Sequence, residues 1–382
     1  MRVILVLRWL LLGGLAVALC GCQDGPTGAT AERAELTVAA ALGTGEDTGF
    51  ARATTPRAFV FPADHGPHPE FKTEWWYYTG HLHTAAGRRF GYQLTFFRIA
   101  LRPDRTERSS DWAATQLYMA HFALTDPAAA QFHYFERFSR AALGLAGATA
   151  HPFRVWLEDW TVVGAADNSL PMGLVAAADG IAIDLQLDSA KPVVLQGDAG
   201  LSQKSAEPGN ASYYYSLTRM PTAGAIRIAD ETFAVTGDSW LDREWSTSAL
   251  GEDQVGWDWF SLQLTDGREL MYYQLRRSDG SADPFSGGVL VAADGTSERL
   301  RSTDVTLAVQ SDWQSPHGGR YPARWRLRLP AHGLDLDIKP LLADQELRTT
   351  VRYWEGAVGV QGRSDGEEIG GRGYVELTGY AQ

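Results

Sequence analysis

The chain has 382 residues, 34 Lys and Arg against 46 Asp and Glu, and a formal net charge of -12 at pH 7. An acid excess of this size argues against nucleic acid as a partner and against an electrostatic hold on anionic lipid. Both cysteines, Cys20 and Cys22, lie near the N-terminus, so the body of the chain has no disulfide and no cysteine metal site to support it.

Arg2 and Arg8 precede an apolar run from Trp9 to Leu19. This is the layout of a bacterial secretion signal, and the run is too short to cross a bilayer comfortably. The sequence Leu19-Cys20-Gly21-Cys22 resembles a lipobox, with Leu at the third position before the modified cysteine and Gly directly before it. That resemblance implies a signal peptide over 1–21, lipidation of Cys22 and, with Gln23 following, an outer-membrane location facing the periplasm. Removing residues 1–21 takes away Arg2 and Arg8 and no acid, which changes the charge from -12 to -14. Residues 22–55 are rich in Ala, Gly and Thr and hold few large apolar groups. Such a composition cannot bury a core and predicts a flexible tether.

The remaining length, roughly 330 residues, exceeds what one core ordinarily holds, so two domains are expected. The least strand-like stretch, Pro221 to Glu231, places their boundary near residue 235, giving 56–235 and 236–382. Along both, short runs alternate apolar and polar residues between Gly, Asp, Pro or Asn: Phe90 to Arg98, Gln116 to Leu124, Ile181 to Leu187, Trp257 to Leu264 and Glu269 to Arg276. This pattern predicts an all-β chain of antiparallel sandwiches or barrels. Asp266-Gly267, Asp279-Gly280 and Asp294-Gly295 are hairpin signals. Pro127 to Leu143 is the best helix candidate, yet Phe132, Tyr134, Glu136 and Phe138 alternate, and a strand is predicted there.

Several motifs stand in order: TEWWYYTGHL at Thr73 to Leu82, YMAHFALTD at Tyr118 to Asp126, GNASYYYSLTR at Gly209 to Arg219, SWLDREW at Ser239 to Trp245, GWDWFSLQL at Gly256 to Leu264 and YWEGAV at Tyr353 to Val358. Together they resemble the AttH and carotenoid 1,2-hydratase (CrtC) family from about residue 60 to the end. The resemblance implies two lipocalin-like antiparallel β-barrel or sandwich domains in tandem. It also implies varied activities: hydration of a carotenoid double bond, cyclase-type chemistry, and a secreted bacterial branch associated with ABC transporters.

The hydratase branch carries a His-x-Trp pair and, one hairpin later, a Tyr-x-Asp pair. The matching positions here are Arg243 with Trp245 and Tyr272 with Gln274, so the aromatics persist while the histidine and the carboxylate do not. Protonating an alkene needs an acid, and aromatic faces then stabilise the cation. Asp242 and Glu244 are candidate substitutes, although on a strand they share the face opposite Arg243 and Trp245.

Glu74 shares a strand face with Trp76 and Tyr78, and is read either as a buried acid beside a ligand or as one half of an ion pair with an arginine. His81 and His83 alternate on one face, and His121 lies on a second strand. Zinc would need all three to converge, and no metal is expected; His121 is assigned to the ligand wall instead. Trp257, Trp259, Ser261 and Gln263 share one face opposite Phe260, Leu262 and Leu264, and core is the expectation for both faces. No G-x-S-x-G, G-x-x-x-x-G-K-[ST], H-E-x-x-H or dinucleotide fingerprint occurs, and no cofactor is expected.

These readings converge on an envelope lipoprotein that binds a hydrophobic or amphipathic ligand, working with an ABC transporter. Its ligand wall would be Trp76, Tyr78, His121, Arg243, Trp245, Tyr272 and Gln274. The alternative is a hydro-lyase or cyclase acting on a polyene or terpenoid, with Glu74, Glu244 or Asp242 as the acid. A structural scaffold or a secreted hydrolase is the remaining reading.

Overall fold

The computed structural model describes residues 47–103, 110, 113–165, 169–248 and 250–381. The expected signal peptide, Cys22 and the first part of the tether lie outside the described residues. The tether was expected to run to residue 55, but its last part is docked on the body. Ala53 is fully buried, Ala51 N–H donates to Glu70 O at 2.9 Å, and Asp47 pairs with Lys72 Nζ at 2.5 Å.

Two antiparallel sheets make up almost all of the rest. The first contains β1 (Thr73–His83), β2 (Arg89–Ala100), β3 (Gln116–Asp126), β4 (Gln131–Arg140), β5 (Ala146–Ala150), β6 (Phe153–Leu157), β7 (Trp160–Gly164), β8 (Met172–Ala178), β9 (Ile181–Leu187), β10 (Val194–Leu195), β11 (Leu201–Gln203), β12 (Ala211–Ile228) and β13 (Glu231–Ser246). The second contains β14 (Gln254–Leu264), β15 (Glu269–Arg277), β16 (Gly287–Val291), β17 (Ser297–Arg301), β18 (Thr306–Gln314), β19 (Arg320–Leu329), β20 (Leu334–Pro340), β21 (Glu346–Arg348), β22 (Arg352–Ser364) and β23 (Glu367–Leu377). Both sheets curl, and each encloses its own apolar core. The predicted all-β fold is therefore what forms, including a strand, β4, in the stretch that competed for helix.

In the first sheet β1 sits between β2 and β13, and in the second β14 sits between β15 and β23. The first strand of each sheet thus lies in its middle, paired with the last strand of that sheet. These central strands are apolar on both faces because each face has a different layer to fill. Trp76, Tyr78 and Leu82 of β1 enter the first core, and Phe260, Leu262 and Leu264 of β14 enter the second. The opposite faces, with Trp75 and Tyr77 on β1 and Trp257 and Trp259 on β14, meet in a third aromatic layer between the sheets.

Polar ties fix that layer. Gln263 Nε2 donates to Thr218 O at 2.9 Å and Ser239 O at 3.0 Å, His81 Nε2 bonds Gly373 O at 2.7 Å, and Lys191 pairs with Glu269 at 2.6 Å.

The boundary expected near residue 235 falls inside β13, which runs unbroken to Ser246 beside β1 and β12. The chain leaves the first sheet only between Ser246 and Gln254. Pro221 suggested a break, yet it is accommodated in β12 just past a register shift between Leu217 and Met220. A local irregularity of this kind lets a strand carry a residue that has no N–H.

Candidate functional site

A cavity of about 100 Å³ opens in the layer between the sheets. Trp75 and Tyr77 of β1, Tyr214 of β12, Asp242 and Glu244 of β13, Trp257 and Trp259 of β14, Tyr273 of β15 and Glu376 of β23 line it, with Lys204 from the loop after β11. Half-buried Ser248, Leu250 and Trp257 form its solvent side. The rings are closely arranged: Tyr77 and Trp259 meet edge to face at 5.1 Å, and Lys204 Nζ stands 4.4 Å from the Tyr273 ring centre.

Asp242 is nearly sealed from solvent. It accepts hydrogen bonds from Ser216 at 2.5 Å and Trp240 Nε1 at 2.7 Å on Oδ1, and from Tyr214 on Oδ2. Tyr214 Oη in turn accepts from Trp259 Nε1 at 3.1 Å. Burial raises the Asp242 carboxyl more than these donors lower it, and neighbouring Glu244 adds a further push, to a pKa of about 7. Glu376 behaves alike: burial lifts it, the Trp257 N–H bond and contact with Glu355 oppose this, and the result is about 7. Beside them, Glu244 has Lys204 Nζ 3.2 Å away and accepts a hydrogen bond from Ser212. Two carboxyls therefore hold protons into the neutral range beside one that has a cation at hand.

The face argument decides the other predicted residues. Asp242 and Glu244 face the cavity, whereas Glu74, Trp76, Arg243 and Trp245 all lie on the opposite faces of β1 and β13, away from it. Glu74 forms ion pairs with Arg98 and, at 2.5 Å, with Arg243, and none of these three side chains is exposed. Its carboxylate also accepts the His68 backbone N–H at 3.0 Å. Burial alone would raise its pKa, but Arg98, Arg243 and His68 outweigh that and hold it far below the usual range. Glu74 is thus a permanently ionised member of a buried knot and cannot serve as a proton donor at neutral pH.

The remaining knot residues belong to the same cluster. Arg243 stacks on Trp76 at 3.9 Å, and Trp245 lies parallel to His68 at 3.6 Å. Neither Trp76, Arg243 nor Trp245 contributes to the cavity wall.

Tyr78 and Tyr272 are corrected in the same way, since they point into the first and second cores respectively. Gln274 pairs in register with Asp258, away from the cavity lining. His121 bridges Tyr353 Oη at 2.8 Å and Glu136 at 3.1 Å, tying the sheets together beside the cavity rather than lining it. His81 and His121 are each committed to separate hydrogen bonds, and among the described residues no His, Cys, Asp or Glu group is arranged to hold a metal.

Sequence reasoning missed Tyr77, Tyr214, Lys204, Glu355 and Glu376, and assigned Trp257 and Trp259 to core. A signal existed for the two glutamates. Each stands inside an apolar strand run, YWEGAV and YVELT, and carboxylates seldom enter such runs unless they are to be buried.

The fold and this cavity define a class: all-β proteins of two curled antiparallel sheets with an acid-bearing aromatic cavity between them. The chain belongs to the AttH-like family, whose sequence profile matches residues 52–380. Among solved structures, one assigned as AttH from Nitrosomonas europaea is 36% identical, with a TM-score of 0.77 over 87% of this chain and 100% of that one. Kievitone hydratase from Nectria haematococca shares the fold at TM-score 0.66 and 15% identity, covering 86% of this chain and 96% of that one. CghA shares it at 0.51 and 13%, covering 87% and 95%. No curated protein matches the chain significantly in sequence.

Proposed function

We propose that this protein is a proton-transfer enzyme of hydro-lyase or cyclase type, acting on an apolar, unsaturated molecule whose reacting end enters the cavity between the sheets. The observation that carries this reading is Asp242: a carboxyl that keeps its proton into the neutral range while it faces a wall of indole and phenol rings. A neutral carboxyl is the acid that alkene protonation needs, and the electron-rich faces of Tyr77, Trp257 and Trp259 stabilise the cation that results. Tyr214, Ser216 and Trp240 then hold the carboxylate that remains. A hydratase with this fold, kievitone hydratase, makes hydration the first reaction to test.

In this proposal the lipidated Cys22 holds the enzyme at the outer membrane facing the periplasm, where a lipophilic substrate is concentrated, and an ABC transporter supplies or removes it. The test is incubation with isoprenoid polyenes, from geraniol to lycopene, in deuterated water, followed by mass spectrometry. The expected product has gained one D₂O or, for cyclisation, carries carbon-bound deuterium, and Asp242→Asn abolishes it. Polyenes bound and recovered unchanged would support a carrier and overturn the enzyme reading.

A further inference from the structure

Glu355 of β22 and Glu376 of β23 are direct cross-strand partners, and residues so paired place their side chains on the same face within reach of each other. Glu355 is fully buried, and Glu376 lines the cavity. Each has one donor on its Oε1: Tyr77 O–H to Glu355 at 2.6 Å and Trp257 Nε1–H to Glu376 at 2.5 Å. Glu355 Oε2 is buried with no hydrogen-bond partner.

Among the described residues, the surroundings supply no positive charge to this pair. Tyr77 from β1, Tyr353 on β22, Tyr374 on β23 and Asp242 and Glu244 from β13 face it, while Lys204, a cation at the cavity wall, is paired with Glu244. Two carboxylates cannot both ionise so close together without a counter-charge. A proton held between them would satisfy the orphaned Oε2.

We propose that Glu355 and Glu376 share one proton at neutral pH and together form the base of the cavity, with Glu376 as the residue that meets the substrate side. This rests on the proton-transfer reading above and completes its chemistry. Asp242 breaks its O–H bond and the substrate π pair forms a C–H bond, leaving a cation and a carboxylate. Water then forms the C–O bond, and the O–H bond it breaks delivers a proton to the singly charged glutamate pair, which becomes neutral. Return of that proton to Asp242 restores the resting state, and the sum is addition of one water. Burial raises both groups; the charge of Glu376 pushes Glu355 further up, while the hydrogen bond between the two carboxyls raises Glu355 and lowers Glu376, the signature of one proton held on the Glu355 side of a shared bond.

Infrared titration of the purified protein, read at the carbonyl stretch of protonated carboxyls, tests the sharing without any substrate. Glu355→Gln and Glu376→Gln are each expected to remove one protonated carboxyl at pH 7. In either variant the surviving glutamate titrates at least about one pH unit lower, because its charged neighbour is gone. Tyr77→Phe keeps both carboxyls and shifts the band, which serves as the control where a glutamine variant folds poorly.

A survivor whose titration does not move, or a wild-type protein with both glutamates ionised at pH 7, overturns the shared proton. With the polyene series, Glu376→Gln is expected to lose hydration at least about 100-fold, and full retention overturns the base role. Proven sharing without turnover of any polyene would instead sink the enzyme reading and leave the pair standing.

Discussion

Glu74 Oε2 and Arg243 Nη2 stand 2.5 Å apart with neither side chain exposed, and Arg98 closes on the other carboxylate oxygen. The two residues come from neighbouring strands of the first sheet, on the faces turned away from the cavity. Replacing Glu74 by Gln keeps the shape and leaves two buried guanidinium groups short of a counter-charge. A loss of about 3–5 kcal/mol is expected, read from the urea midpoint. Turnover per folded molecule should be unchanged, which separates this knot from the acid of the cavity.

Stability should respond to pH in two opposite ways. Glu74 has a depressed folded pKa, so its contribution is present above its unfolded value of 4.5 and is lost as pH falls below it. Asp242 and Glu376 have raised folded pKa values, so theirs is present below about 4 and is lost as pH rises through about 7. Melting temperature is therefore expected to fall on the acid side of 4.5 and to decline between about pH 4.5 and 7, levelling off above that. Asp242→Asn should flatten the second slope, by an amount on the order of 1.4 kcal/mol per unit of pKa shift removed. An unchanged slope would mean that Asp242 is ionised throughout.

Lys204→Met removes the cation 3.2 Å from Glu244. The stranded carboxylate costs about 3 kcal/mol or less, since the pair is not fully buried. Its unbalanced charge also raises the proton affinity of Asp242, so the alkaline limb of the pH–activity curve should move upward. A limb that moves downward would contradict the charge arrangement described.

Trp259→Leu takes away a wall of the cavity and the N–H that donates to Tyr214 at 3.1 Å. The lost ring contact with a cationic transition state is worth roughly 1–2 kcal/mol, about 5- to 30-fold in rate. Trp259→Phe restores a ring face but not the donor, and is expected to recover most of the rate. Steady-state kinetics on a polyene that is turned over would show it.

Cys22→Ser should move the protein from the membrane fraction to the soluble periplasmic fraction, with loss of detergent-phase partitioning. An unchanged distribution would remove the lipid anchor from the proposal.

Fold membership was legible because it depends on features that repeat along the chain. Alternation in β2, β3 and β9 and the Asp-Gly turns each report a local preference, and the YWEGAV and TEWWYYTGHL motifs add order. The site was legible only in part. Asp242 and Glu244 stood out as carboxyls between Trp240 and Trp245, and the alternation argument correctly set them on the face opposite Arg243 and Trp245. Which of the two faces meets the cavity is a property of the second sheet, and β1 alone offered Glu74 with Trp76 as readily as Trp75 with Tyr77.

What the sequence by itself determined was the strand periodicity, the turns and the pairing of aromatics with carboxyls on common faces, since these follow from a two-residue repeat. Only the tertiary structure decided what each face means. Packing two curled sheets against each other turned one set of faces into sealed cores and an ion-pair knot, and the other into an aromatic cavity. The same packing set Glu355 beside Glu376, with no cation paired to either among the described residues. Burial and neighbouring charge, which fix whether a carboxyl holds its proton, come from strands distant in the chain, and so Glu74 became an ionised strut while Asp242 keeps its proton into the neutral range.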